Sequence, residues 1–171
     1  MKQKSVRSLL FLCLSLFSVV VYGQKEDIRV EFHAQGAAWP KEFKPYELGF
    51  DVGYNLTDRL FLNLRFENAI ALFKINGQKD YFTNGIYGLN VGYSFFDCKM
   101  CKFDVRVGLG DNMRKNKDWK YNYYDAGVYM HLGEAKVKPC FGFGVRHYNS
   151  RNSLHKDYTR LFMSIGLSFG A

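Results

Sequence analysis

Beyond residue 23 the sequence contains no continuous apolar run near 18 residues, so the rest of the chain holds no candidate transmembrane helix. It also lacks a segment of convincing helical periodicity. No Lys/Arg cluster suits a nucleic-acid groove, so no nucleic-acid partner is expected. No His/Cys/Asp/Glu grouping has metal-ligand spacing, and no glycine-rich phosphate loop precedes a helix. Neither a metal nor a cofactor is therefore expected. Internal repeats, low-complexity tracts and domain linkers are missing as well, so 171 residues read as one domain behind a leader.

The leader is residues 1–23. Lys2, Lys4 and Arg7 form a basic start, Leu9 to Val21 an apolar core, and Val21-Tyr22-Gly23 ends on a small residue. This is the pattern of a secretory signal cleaved before Gln24. Cys13 lies inside the apolar core and not at a cleavage point, so no lipid anchor is expected. Cleavage removes three basic residues and no acidic one, which takes the formal charge from +8 to +5 (8 − 3).

What is present in quantity is alternation. In "KFDVRVGLG", residues 102–110, Asp104 and Arg106 point one way while Phe103, Val105, Val107 and Leu109 point the other. Period two is the mark of a strand with unlike faces. Eight such segments occur, over 28–38, 46–55, 60–73, 81–96, 102–110, 121–133, 139–149 and 157–169. One face is apolar throughout, as in Leu60, Leu62, Leu64 and Phe66. The other carries Glu31, Asp51, Arg65, Glu67, Asp104, Arg106, Asp125, Arg146 and Arg160.

Glycine decides which face is inside. Fourteen glycines lie in or beside these segments, and twelve share the charged face; only Gly36 and Gly85 do not. Glycine weakens a strand and needs a reason to be there. A solvated face offers none, but the narrow interior of an eight-stranded barrel does. A soluble barrel with an apolar cavity would leave that glycine-rich face in water. The charged face is therefore read as the interior and the apolar face as lipid-facing, with Tyr54, Phe73, Tyr93, Phe95 and Phe141 as aromatics near its edges.

The connections alternate too. "LTDR", "DCKMC" and "EAKVK" are short, whereas "PKEFKPY", "KINGQKD", "DNMRKNKDWK" and "SRNSLHK" are longer. Short turns on one rim and longer loops on the other describe an all-β, antiparallel, up-and-down transmembrane barrel over residues 24–171. The longer loops carry ten basic residues, Lys115, Lys117, Lys120 and Arg151 among them, against four acidic ones. Those loops are expected to meet anionic lipopolysaccharide headgroups.

The leader, the eight strands and the closing "SIGLSFGA" together resemble the small eight-stranded outer-membrane β-barrel proteins of Gram-negative bacteria. Cleavage before Gln24 is similar to the style of Bacteroidota. The resemblance implies residence in the cell outer membrane, contact with its lipid, and delivery by periplasmic chaperones and the barrel-assembly machinery. It implies a last strand that is amphipathic and ends in an aromatic residue. Gly166, Leu167 and Phe169 fit that pattern, although Gly170 and Ala171 follow.

Three site readings follow. The inward charges, being of both signs, read as mutually satisfied ion pairs that fill the interior; a narrow solute path is the alternative. Cys98 and Cys101 flank a turn and are expected to form a local disulfide, a redox motif being the alternative although that kind normally opens a helix; Cys140 is then free or paired with an unidentified partner. A lipid-modifying enzyme is the third possibility. A lipid A deacylase of this fold class uses a His and a Ser two residues apart, and "RHYNSRNS" resembles that region superficially. His147 is two residues from Asn149, however, and Ser150 falls on the opposite face. The expectation is a monomeric structural or surface-interaction protein without catalytic residues.

Overall fold

The chain is described from a computed structural model covering residues 28–39, 42–75, 78–113, 120–151 and 156–170. The leader lies outside them. The eight strands are β1 (Ile28–Ala37), β2 (Phe43–Asn55), β3 (Leu60–Ile75), β4 (Gln78–Asp97), β5 (Cys101–Asn112), β6 (Tyr121–Leu132), β7 (Val137–Ser150) and β8 (Tyr158–Phe169). Each pairs antiparallel with the next, and β8 returns to β1 from Val30↔Phe169 to Ala37↔Phe162, closing the barrel. Closure pairs backbone groups that an open edge would leave bare, which is what crossing hydrocarbon requires.

Register holds the alternation in phase around the ring. Glu31 stands opposite Asp51, Asp51 opposite Arg65 and Arg65 opposite Gly88, so one parity points inward on every strand. The outcome inverts a soluble protein. Leu48 and Val107 are 68% and 61% exposed on the outside, while Arg146 and Asp104 are 0% exposed inside. The barrel thus has an apolar exterior and an ionic interior, as the sequence pattern implies.

Prolines fall where the ladders permit them. Pro45 lies one residue beyond Tyr46, the last β2 residue paired with β1. Pro139 lies one residue before Cys140, the last β7 residue paired with β6. Neither is asked for a bond on that side.

Several details depart from the sequence reading. The segment "KINGQKD" is not a long loop, because β3 and β4 reach Ile75 and Gln78 and leave two residues between them. This hairpin outgrows its neighbour, since β5 pairs with β4 only from Ile86 onward. Phe73 is not on the lipid face. It shares the parity of Arg65 and Glu67, is buried inside, and packs on Phe43 with ring centroids 5.0 Å apart. Between Ser94 and Phe96 the register slips by one residue, a bulge that turns both Phe95 and Phe96 outward.

Two of the twelve glycines assigned to the crowded interior have another reason. Gly133 and Gly170 lie just past strand ends with φ of +87° and +85°, a backbone conformation that L side chains rarely adopt. Elsewhere the crowding argument holds. A Cβ on Gly92 would meet the Phe61 ring, and one on Gly144 the Ala126 carbonyl and the Phe162 ring.

Candidate functional site

The interior is built in three tiers. The tier nearest the short-turn rim is centred on Arg29 and Glu31 of β1 and Asp104 and Arg106 of β5, with His131 of β6. Arg106 donates two hydrogen bonds to Glu31, at 2.6 and 3.1 Å. Arg29 bridges Glu31 and Asp104 at 2.6 and 3.1 Å. The His131 Nε2 lies 3.0 Å from Asp104. Hydroxyls complete the carboxylates: Ser94 donates to Asp104 at 2.8 Å and Ser168 to Glu31 at 3.2 Å. The Phe61 ring lies 4.1 Å from the Arg29 guanidinium, and Tyr129 lies 4.1 Å from that of Arg106.

The middle tier joins β2, β3, β6 and β7. Arg65 grips Asp51 with Nε and Nη2, both at 2.9 Å. Arg146 is the hub. It reaches Glu47 at 2.8 Å, both oxygens of Glu67 at 3.1 Å, and Asp125 through Nε at 3.0 Å. Glu47 also accepts from Gln35 at 2.9 Å and from the Tyr148 hydroxyl at 2.8 Å. Bonds of this kind span the barrel, since Arg146 and Glu67 belong to strands on different parts of the ring. Charge-assisted, bidentate geometry is the arrangement in which buried ions lose least by leaving water.

The outermost tier is apolar. Phe43, Phe73, Ile86, Tyr121 and Tyr148 are buried together, with Phe82 and Tyr158 packed against them. Phe43 stacks on Tyr158 at 4.6 Å and meets Tyr148 edge-on at 5.1 Å. A tier of packed rings toward the longer loops does not appear in the sequence reading, which places Phe43 in a loop and Phe73 outside.

Of the nine residues assigned to an interior charge network, the structure brings eight together: Glu31, Asp51, Arg65, Glu67, Asp104, Arg106, Asp125 and Arg146. Arg160 does not join them. It lies at the long-loop end of β8, donates to the Phe43 carbonyl at 3.4 Å and lies 5.3 Å from the Tyr158 ring. Its inward parity is right, but at that height the interior is already filled by rings. Arg29, Glu47 and His131 belong to the network and are missing from the nine. Parity places Glu47 and His131 on the charged face in the sequence itself, and it puts Arg29 there too, two residues before Glu31.

Cys98 and Cys101 are not bonded. They are thiols with sulfurs 3.2 Å apart, against about 2.05 Å for a disulfide. Cys140 is a buried thiol, 3.8 Å from His131 Nε2. Of the basic loop residues, Lys115 and Lys117 lie outside the described residues. Lys120 accepts a backbone bond from Arg151, whose guanidinium stands 3.3 Å from Asp111. His147 lies on the outer face and contacts Thr159 at 2.8 Å. Ser150 has the inward parity of Tyr148, so the contact between nucleophile and base that a deacylase needs is not formed.

Fold and interior together define a closed eight-stranded transmembrane β-barrel whose bore is occupied by its own side chains. No family model matches the chain, and no curated protein sequence matches it. Among solved structures it is similar to the N-terminal β-barrel domain of Pseudomonas aeruginosa OprF, with 16% identity and a TM-score of 0.45, over 85% of this chain and 100% of that one.

Proposed function

We propose that this protein is a monomeric outer-membrane barrel with a structural or surface-interaction role, and that it forms no pore. The supporting observation is the hub at Arg146, where one guanidinium holds Glu47, Glu67 and Asp125 from three other strands. A bore crossed by such bonds is a core. Contact with partners then falls to the longer loops, whose excess of basic residues suits lipopolysaccharide headgroups. The amphipathic last strand suits assembly by the barrel-assembly machinery, as the resemblance implies.

Planar-bilayer recording of refolded protein tests the absence of a pore, with no steady conductance expected. A reproducible ohmic current whose ion selectivity changes in Arg106→Ala would put a solute path in place of this reading. For the loops, lipopolysaccharide should raise the unfolding temperature of wild type more than that of a Lys120→Glu, Arg151→Glu variant. Equal rises would remove the headgroup assignment.

A further inference from the structure

The β4–β5 turn, Cys98-Lys99-Met100-Cys101, sits on the short-turn rim outside the apolar band. Two backbone bonds fix it. Cys98 N–H donates to the Cys101 carbonyl at 2.9 Å, and Gly133 N–H, from the adjoining β6–β7 turn, donates to the Met100 carbonyl at 2.8 Å. The two thiols therefore project from an anchored backbone, 3.2 Å apart. Closing to a disulfide asks the sulfurs to approach by about 1.1 Å, within reach of side-chain rotation alone. Cys98 is exposed and Cys101 half-buried.

The pair opens onto a groove of about 530 Å³ along the same rim. Lys99, Lys102 and Lys138 line it together with Asp97 and Glu134, so positive charge predominates by one. We propose that Cys98 and Cys101 are a reversible dithiol–disulfide site that exchanges with anionic peptide disulfides of the glutathione type, Cys98 being the attacking thiol.

The exchange runs in two displacements. The Cys98 thiolate attacks one sulfur of the donor disulfide; that S–S bond breaks, a mixed disulfide forms on Cys98, and half of the donor leaves as a thiolate. Cys101 then gives up its proton and attacks the Cys98 sulfur, forming the intramolecular S–S bond and releasing the second half. The chain loses two electrons and two protons, and the donor takes up both as two thiols. Exposure favours Cys98 for the first attack. So does the hydrogen bond from the Cys101 thiol, which holds the Cys98 thiol below the usual cysteine range. Exposed short-loop disulfides of this kind belong to the labile class. Cys140, buried in the bore, takes no part.

The test uses the folded full chain in detergent, equilibrated across ratios of reduced to oxidised glutathione, quenched by alkylation and mapped by peptide mass. Expected is a two-electron, fully reversible Cys98–Cys101 disulfide, with Cys140 unmodified. In Cys101→Ser the glutathione adduct should accumulate on Cys98. In Cys98→Ser the adduct on Cys101 should form about tenfold more slowly, as an exposed, more acidic thiol attacks faster than a half-buried one. Cystamine, a disulfide with cationic ends, should oxidise the wild type more slowly than glutathione disulfide. The proposal fails if Cys98 alkylates readily yet no intramolecular disulfide forms at any ratio. It fails equally if the two serine variants react at the same rate, or if cystamine is the faster oxidant. The wild-type titration stands by itself should either variant fold poorly.

Discussion

At the scale of single residues, the two arginines at 146 and 160 separate burial from sequence position. Both have inward parity, and the sequence pattern puts both in the same network. Arg146 is fully buried and holds three carboxylates, whereas Arg160 bonds, among the described residues, to backbone carbonyls at the rim. Arg146→Ala takes the cation from Glu47 and leaves Glu67 and Asp125 to Arg65, 3.6 and 3.5 Å away, and should cost roughly 3–5 kcal/mol. Arg160→Ala should stay within about 0.5 kcal/mol of wild type, as surface substitutions do. The check is the temperature at which the compact folded band on a gel converts to the unfolded one: a large drop for the first variant, little for the second. Gly144→Ala supplies a steric counterpart. The added methyl meets the Ala126 carbonyl, which cannot rotate aside, and overpacking should cost about 1–3 kcal/mol. A Gly144→Ala protein as stable as wild type would show that the bore is looser than its geometry implies.

At the scale of the strand, each element has a lipid side and a core side, and substitution should report which is which. On β5, Val107 is exposed on the outer face while Arg106 is 3% exposed and bonded to Glu31. Val107→Arg should lower stability in a bilayer by about 2–4 kcal/mol if it lies near the midplane, and less toward either interface. Leu64→Arg on β3 should behave alike, since Leu64 is also outward. Equilibrium denaturation in lipid vesicles measures both. If Val107→Arg were harmless in vesicles, the apolar face would not be the lipid face. The β3–β4 hairpin makes a different point. Its length past β5 was hidden because "KINGQKD" is polar and turn-like, and the period-two pattern weakens there. Pairing with β3 as far as Ile75↔Gln78 carries β4 through it regardless.

At the scale of the molecule, the tiers stack in series: an ion cluster around Arg106, a second around Arg65 and Arg146, and rings above them. Opening one leaves the others in place. Arg106→Ala and Arg146→Ala should each lower stability without creating a steady current, and a double variant should still need the ring tier removed. Bilayer recordings of both single variants check this. A stable current from either one would mean that a single tier carries the whole seal.

Alternation, the parity of the glycines and the spacing of turn signals determine by themselves that this chain makes eight strands, closes them, and turns its charges inward. These are local properties, legible because side chains in a strand change face at every residue and because glycine inside a strand marks a close approach. Partner choice is not local. Glu47 and Arg146 are far apart in sequence, and only the closed ring brings them to 2.8 Å. The height of a residue in the bore is likewise set by the stagger of neighbouring strands. That stagger puts Phe43 against Phe73 and Tyr148 and lifts Arg160 out of the network. Face is a matter of odd and even along one strand, whereas depth and pairing exist only once eight strands have been fixed in register.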